Sequence, residues 1–261
     1  MAIPLVDCHF LFNLAFVISK KCNIMKRFLL SIFAILYAAT LLAQETTTPN
    51  IGPIRENLAS FSSIDVNAPI KLTLIKIDKS EAPYIVYDTK GVYTSKFEFE
   101  VLKKGNGVLK IEERSDPKRE SVTEVEVYFN ELTDISISKA DTSVVGTLTS
   151  QLLDLYISND SHLVADIDSL DIKVYASGKC CIVLTGEARY QTVDISTADY
   201  NAAKLSTVST VASSSHNATV KVNASERLEA KSSTGGKILY CIEPVILRSE
   251  ITLFGGEIKP L

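Results

Sequence analysis

The chain has 261 residues, 46% of them hydrophobic, and 27 Lys and Arg against 31 Asp and Glu, for a net charge of −4. That balance, with no basic run in the body of the chain, excludes the electrostatic footprint of a nucleic-acid binder. The apolar fraction is ample for a packed core, and the length suits one or two domains.

Residues 1–43 read as a leader. Met25-Lys26-Arg27 is a basic start, Phe28 to Ala39 an apolar run, and Ala43 a small residue before Gln44. This is the layout of a secretory signal peptide, and the run is short for a membrane span. Residues 1–24 carry a second apolar stretch. Either Met25 is the true start, or the upstream segment is an extended leader or anchor. No Cys closes the apolar run, so lipid anchoring is not indicated. Removing residues 1–43 takes away four cations and one acid, which moves the net charge to −7. Gln44 to about residue 57 reads as a flexible mature N-terminus, with room for one short helical turn near Ile54–Ala59.

From residue 58 to 131 the pattern predicts an antiparallel, hairpin-rich β region. Its strands are Phe61–Val66, Ile70–Ile77, Tyr84–Tyr87, Phe97–Leu102, Val108–Ile111 and Val122–Phe129. Pro69 marks a turn, Lys104-Gly105-Asn106-Gly107 is a turn with an Asn-Gly pair suited to positive φ, and residues 115–120 form an exposed loop. No helical period is sustained.

From Leu132 to about Pro244 the sequence repeats roughly every nineteen residues. Ile135-Ser136-Ile137-Ser138 aligns with Leu155-Tyr156-Ile157-Ser158, Val174-Tyr175-Ala176-Ser177 and Val193-Asp194-Ile195-Ser196. Val211-Ala212-Ser213-Ser214 follows, then Glu229-Ala230-Lys231-Ser232. Each repeat has a short alternating strand, a corner rich in Ser, Asn, Asp or Gly, and a second short strand. So short a unit cannot bury its own apolar face and must stack on its copies. Residues 132–261 are therefore expected to form an all-β parallel solenoid, with the antiparallel region covering one end and the tail Val245–Gly256 the other. Ser138, Ser158, Ser177, Ser196 and Ser214 should form one polar column. Asn, Asp and Gly tolerate the left-handed backbone of a sharp corner.

Cys8 and Cys22 fall in the leader, leaving Cys180, Cys181 and Cys241. Adjacent Cys180 and Cys181 point to opposite sheet faces. Either can pair with Cys241 in an exported protein, or all three are free thiols packed as small hydrophobes. No Cys-x-x-Cys occurs.

The pattern Phe61–Val66, Ile70–Leu74, Leu109–Ile111, Val125–Val127 and Leu132–Ser138 resembles the auto-transporter adhesin "head GIN" family, a domain of unknown function in exported proteins of the Bacteroidetes. The likeness covers about residues 58–241. Members usually carry Ser-Gly-Ala-Ser corners, of which Ser177-Gly178-Lys179 keeps only part. The resemblance implies an all-β parallel solenoid, a cell-envelope location and an adhesin-like role, and it brings no catalytic or binding residues.

No nucleophile, phosphate-loop or metalloprotease motif is present. His162 and His216 fall at corners and read as solvated side chains. Asp166 and Asp168 flank Ile167 on one strand face and are the candidate carboxylate pair. Asp141, Asp160 and Asp199 read as corner caps. Asp168-Ser169-Leu170 resembles the short O-glycosylation acceptor motif of Bacteroidetes, which makes Ser169 a candidate modification site. No metal or cofactor is indicated. The expectation is an exported, non-catalytic binding module of periplasm, outer surface or extracellular space, with polar β-faces for glycan or protein, no membrane span in the mature chain, and scope for homo-oligomers. The alternatives are a carbohydrate-active lyase or hydrolase on the same scaffold, or a self-associating structural protein.

Overall fold

The computed structural model describes residues 52–90, 96–114, 121–252 and 254–261. The leader, Gln44–Asn50 and the loop at 115–120 lie outside the described residues. The described chain is almost entirely strand and contains no α-helix.

The repeats stack in parallel as expected. Five long strands run through the middle of the chain: β9 (Asp141–Ser158), β10 (His162–Ser177), β11 (Cys181–Ser196), β12 (Asp199–Ser215) and β13 (Thr219–Ser232). His162 sits over Asp141, Cys181 over His162, Asp199 over Cys181 and Thr219 over Asp199, so coils of 18 to 21 residues succeed one another. Each long strand joins the second strand of one predicted repeat to the first strand of the next. The join is a bend where Ser150 and Ser169 hydroxyls donate to the carbonyls of Leu152 and Asp171. The other end of each coil is a sharp corner, and there the predicted residues take positive φ: Lys139, Asn159, Asp160, Gly178, Thr197, His216, Asn217 and Thr234.

Each coil therefore has two faces. The entry face carries the residues that lead into the sharp corner, and the exit face those that leave it. Between them lies one continuous core. On the exit face Leu72, Thr142, Leu163, Ile182, Tyr200, Val220 and Ile238 form an inward column. On the entry face Ile64, Ile135, Leu155, Val174, Val193 and Ala212 form another. Strand alternation puts every second residue inside.

Parallel stacking starts earlier than residue 132. β2 (Ser63–Asn67) pairs in parallel with β6 (Val108–Glu113) on one side and β8 (Asp134–Ser138) on the other. β3 (Lys71–Lys76) likewise lies between β7 (Glu124–Phe129) and β9. The coil at 108–129 thus packs outside the coil at 63–76. Antiparallel strands are present as expected and close this end: β4 (Tyr84–Asp88) on β7, β1 (Ile54–Asn57) on β4, and β5 (Phe97–Leu102) on β6. Alternation alone does not distinguish a parallel from an antiparallel neighbour, which is why β2, β3, β6 and β7 read as hairpin strands. The stretch expected to be flexible or helical at 54–57 is strand β1. In the turn before β6, Gly105 and Gly107 take the positive φ rather than Asn106.

At the far end β14 (Gly236–Tyr240) pairs with β13 and β16 (Gly256–Pro260), and β15 (Ile246–Ile251) pairs with β13. The tail adds a last rung. It does not lie across the core, and all six residues of β15 are exposed.

All three described cysteines are free. Cys180 is buried and Cys181 exposed, as their opposite facing requires. The rung bearing Cys241 lies three rungs beyond that of Cys181, about 14 Å at ordinary strand spacing, too far for a disulfide.

Candidate binding face

The entry face presents the most regular array of outward side chains. Asn67, Ser138, Ser158, Ser177, Ser196 and Ser215 stack in one column. The expected member Ser214 is displaced by its neighbour Ser215. The register pairs Ile195 with Ser214 and Ser196 with Ser215, and a one-residue slip turns a side chain to the other face. Ser214 accordingly points inward, donating to the Ala218 carbonyl at 2.8 Å. Corner side chains brace the column. Asn159 Nδ2 donates to the hydroxyls of Ser138 and Ser158 at 3.0 and 3.3 Å. His216 Nδ1 lies 3.1 Å from both Ser196 and Ser215 Oγ.

A second column beside it holds Ser136, Tyr156, Tyr175, Asp194 and Ser213. Tyr156 and Tyr175 stack with ring centroids 5.2 Å apart and planes 10° from parallel. They remain 46% and 37% exposed, so both rings are open to a ligand. Partial burial, followed by the negative charge of Asp154, pushes the Tyr156 hydroxyl's pKa up, so it stays a hydrogen-bond donor across the neutral range. Between the two columns runs a shallow trough of about 320 Å³, bordered by Ser136, Tyr156, Ser158, Tyr175, Ser177 and Asp194. Neutral donors and acceptors beside an apolar ring edge are the chemistry that meets sugar hydroxyls and C–H faces.

The predicted acidic pair lies on the exit face instead. Asp166 accepts hydrogen bonds from Thr147 Oγ1 at 2.7 Å and Thr185 Oγ1 at 2.8 Å, one from each neighbouring rung. These two donors hold its carboxyl below the usual carboxylate range. Asp168 is exposed near the bend, where it borders grooves with Glu187 and Arg189 on one side and with Lys76 and Gln151 on the other. Ser169 is 8% exposed, and its hydroxyl donates to the Asp171 carbonyl at 3.0 Å. A glycan on that oxygen requires the bond to open and the side chain to turn outward. His162 is exposed, 4.0 Å from Asp141. Asp141 and Asp199 begin β9 and β12, and Asp160 takes a left-handed corner.

The tyrosine pair did not stand among the predicted site residues, although the repeat alignment already placed both at one offset.

Comparison with known proteins agrees with this architecture. The family description "Putative auto-transporter adhesin, head GIN domain" matches residues 60–244. The chain belongs to this family. The head GIN fold recurs in solved structures. A "putative adhesin" from Bacteroides fragilis superposes with a TM-score of 0.70 at 19% identity, over 82% of this chain and 99% of that one. A "putative adhesin" from Parabacteroides merdae gives 0.60 at 14% identity, over 79% and 95%. A "putative lipid binding protein" from Parabacteroides distasonis gives 0.61 at 15% identity, over 80% and 97%. At these identities the likeness is one of fold. No curated protein matches this head GIN chain. No helix among its described residues is long and apolar enough to cross a membrane.

Proposed function

We propose that this chain is an exported, non-catalytic, adhesin-like module of the cell envelope, whose entry face binds glycan. The observation that carries this reading is the exposed Tyr156–Tyr175 stack set in a field of serine hydroxyls. Successive rungs repeat these groups at about 4.8 Å, so a linear sugar chain lying along the solenoid axis meets the same donors again and again. The family name and the descriptions of its neighbours support the coarser reading, that of an adhesin-like envelope protein.

A glycan array probed with the purified chain tests the proposal. We expect binding to a subset of glycans that falls severalfold in Tyr156→Ala and in Tyr175→Ala, because ring contacts are worth about 0.5–1.5 kcal/mol. Asp166→Asn and Asp168→Asn should bind as the parent does. An array without hits, or hits indifferent to both tyrosines, refutes the glycan face. Turnover of a polysaccharide lost in the Asp variants would instead install the carbohydrate-active alternative. Against that alternative stands the placement of Asp166, whose two oxygens are engaged by the Thr147 and Thr185 hydroxyls of the neighbouring rungs. Ser169 is in this reading an O-glycosylation acceptor, and an intact mass of the protein purified from its native host that shows no added sugar refutes it.

A further inference from the structure

We propose that the C-terminal end of the solenoid is the joint of a twofold dimer, in which β15 and β16 each pair antiparallel with the same strand of a second copy. The inference goes beyond the glycan reading and does not depend on it.

Four observations converge. First, the last rung is an open edge. Among the described residues β15 pairs only with β13 and β16 only with β14. Leu247 and Ile251 stack over the inward Leu228 and Ser232, and Ile258 over Ile238, yet Leu247 and Ile251 are exposed. Val245 and Phe254 beside them are 83% and 87% exposed. A row of free backbone groups over an uncovered core is a template for another strand.

Second, the backbone parity of the two strands agrees. Thr252 N–H donates to the Ser232 carbonyl, and Ser232 is the register partner of Ile251. In a parallel ladder this turns the peptide groups of Leu247, Ser249 and Ile251 away from β13. Leu261 N–H donates to the Tyr240 carbonyl, opposite Pro260, which turns those of Gly256, Ile258 and Pro260 away from β14.

Third, one axis serves both strands. Ile251 lies over Ser232 and Gly256 over Gly236, on either side of one corner of the coil beneath; counted outward from there, Ile251 matches Gly256, Ser249 matches Ile258 and Leu247 matches Pro260. The corner is tight enough that a side chain on Gly256 would run into Ser232, directly beneath Ile251. A twofold axis through Ser249 and Ile258 therefore puts Ser249 against the partner's Ser249 and Ile258 against the partner's Ile258. The peptide groups of both point away from the strand beneath, as the hydrogen-bonded pairs of an antiparallel ladder require. Leu247 then meets the partner's Ile251, and the apolar core continues across the joint. Only the missing N–H of Pro260 leaves a bond unmade at each end.

Fourth, the charges match. In this register Arg248 lies opposite the partner's Glu250, and Glu257 opposite the partner's Lys259. Edge strands are commonly blunted by charged side chains, and within the chain Arg248 pairs with Glu229, Glu250 with Lys231 and Glu257 with Lys259, so no charge of the edge is left uncompensated to repel a second copy. Here each strand carries one of each, placed symmetrically about the axis, so an antiparallel copy brings opposites together. The other end of the solenoid finishes in the antiparallel strands β1, β4 and β5. Its own edges, β1 and β5, each with one neighbour among the described residues, do not carry the β15 and β16 sequences, and an isologous joint at the C-terminal end uses up both copies of that edge and closes as a dimer rather than growing into a fibre.

Sedimentation equilibrium of the full chain, with circular dichroism to verify folding, tests this. The parent should be a dimer that dissociates on dilution. Glu257→Lys sets like charges opposite each other at two symmetric places and should weaken the dimer about tenfold or more. Lys259→Glu should do the same, and the double exchange should restore most of the affinity by reversing both signs. A monomer at all accessible concentrations overturns the proposal. So does a dimer indifferent to the single exchanges, an open-ended polymer, or a monomer whose Ser249 and Ile258 amides resist hydrogen exchange because another segment of the chain covers the edge.

Discussion

Asp166 shows how a single side chain in this fold serves the stack. Its carboxylate receives one hydroxyl from the rung before and one from the rung after, tying three coils together on the exit face. Thr147 is the larger influence, Thr185 the second, and together they lower the folded pKa from the ordinary value of 3.8. A carboxyl depressed in this way stabilises the fold at pH above the unfolded value and loses that contribution as pH falls through the folded one. Asp166→Asn should therefore cost about 1 kcal/mol at neutral pH, and the gap from the parent should narrow as pH falls below 3.8 and through the lowered folded value. Urea melts at a series of pH values stepped down from about 7 measure it, and a gap that does not narrow as the carboxyl is protonated would remove it from the account. That role was not legible in the chain, because hydrogen bonds between rungs depend on a register that spacing defines only to within a residue or two. Deeper inside, Gln191, Tyr200, Thr207 and Thr210 form a buried chain of hydrogen bonds, Gln191 Nε2 donating to Tyr200 Oη at 2.5 Å and Thr210 Oγ1 to Gln191 Oε1 at 3.1 Å. Alternation marks these positions as inward, but nothing local announces that polar groups there would find one another.

At the scale of the rung, corners rather than strands set the register. Ser214 and Ser232 turn inward and donate to the carbonyls of Ala218 and Gly236. The next coil must then come close. A side chain on Gly236 would lie 2.5 Å from the Ser214 carbonyl oxygen, and neither backbone can yield without disturbing the ladder. Gly236→Ala is expected to destabilise by about 1–3 kcal/mol through overpacking, read as a lower melting temperature. An unchanged melt would mean that the corner tolerates the displacement. Corner residues were the most legible part of the sequence, since left-handed backbone favours few residue types, and Asn159, Asp160 and Gly178 all adopt it. The misplaced Ser214 arose where two serines adjoin, so composition could not choose between them. The tail was legible as strand but not as an edge, because its Ile-x-Leu alternation is the same for a covered rung and an open one.

For the molecule as a whole, repetition implies that one interior coil is dispensable. Excising residues 162–180 would bring Cys181 onto Asp141, the position His162 now holds, and leave the buried Gln191–Tyr200 pair intact. We expect this shortened chain to fold, to keep its β-sheet circular dichroism, and to unfold in urea with an m-value lower by about a tenth, in proportion to the surface removed. Failure to fold would show that the coils are not interchangeable and that long-range order dominates nearest-neighbour stacking. The identity of the architecture was readable over 132–244, where the repeat is explicit, and much less so over 58–131, where the same coils are interrupted by antiparallel excursions.

Those excursions bear on how the chain acquires its shape. Both neighbours of β2 and both neighbours of β3 come from later sequence, β6 with β8 and β7 with β9, whereas β10 finds β9 already made. A polypeptide that emerges N-terminus first delivers its first coil before either flank exists. Residues 63–76 gain one flank from residues 108–129 and the other only once the chain has passed Val145, and from there growth proceeds one turn at a time.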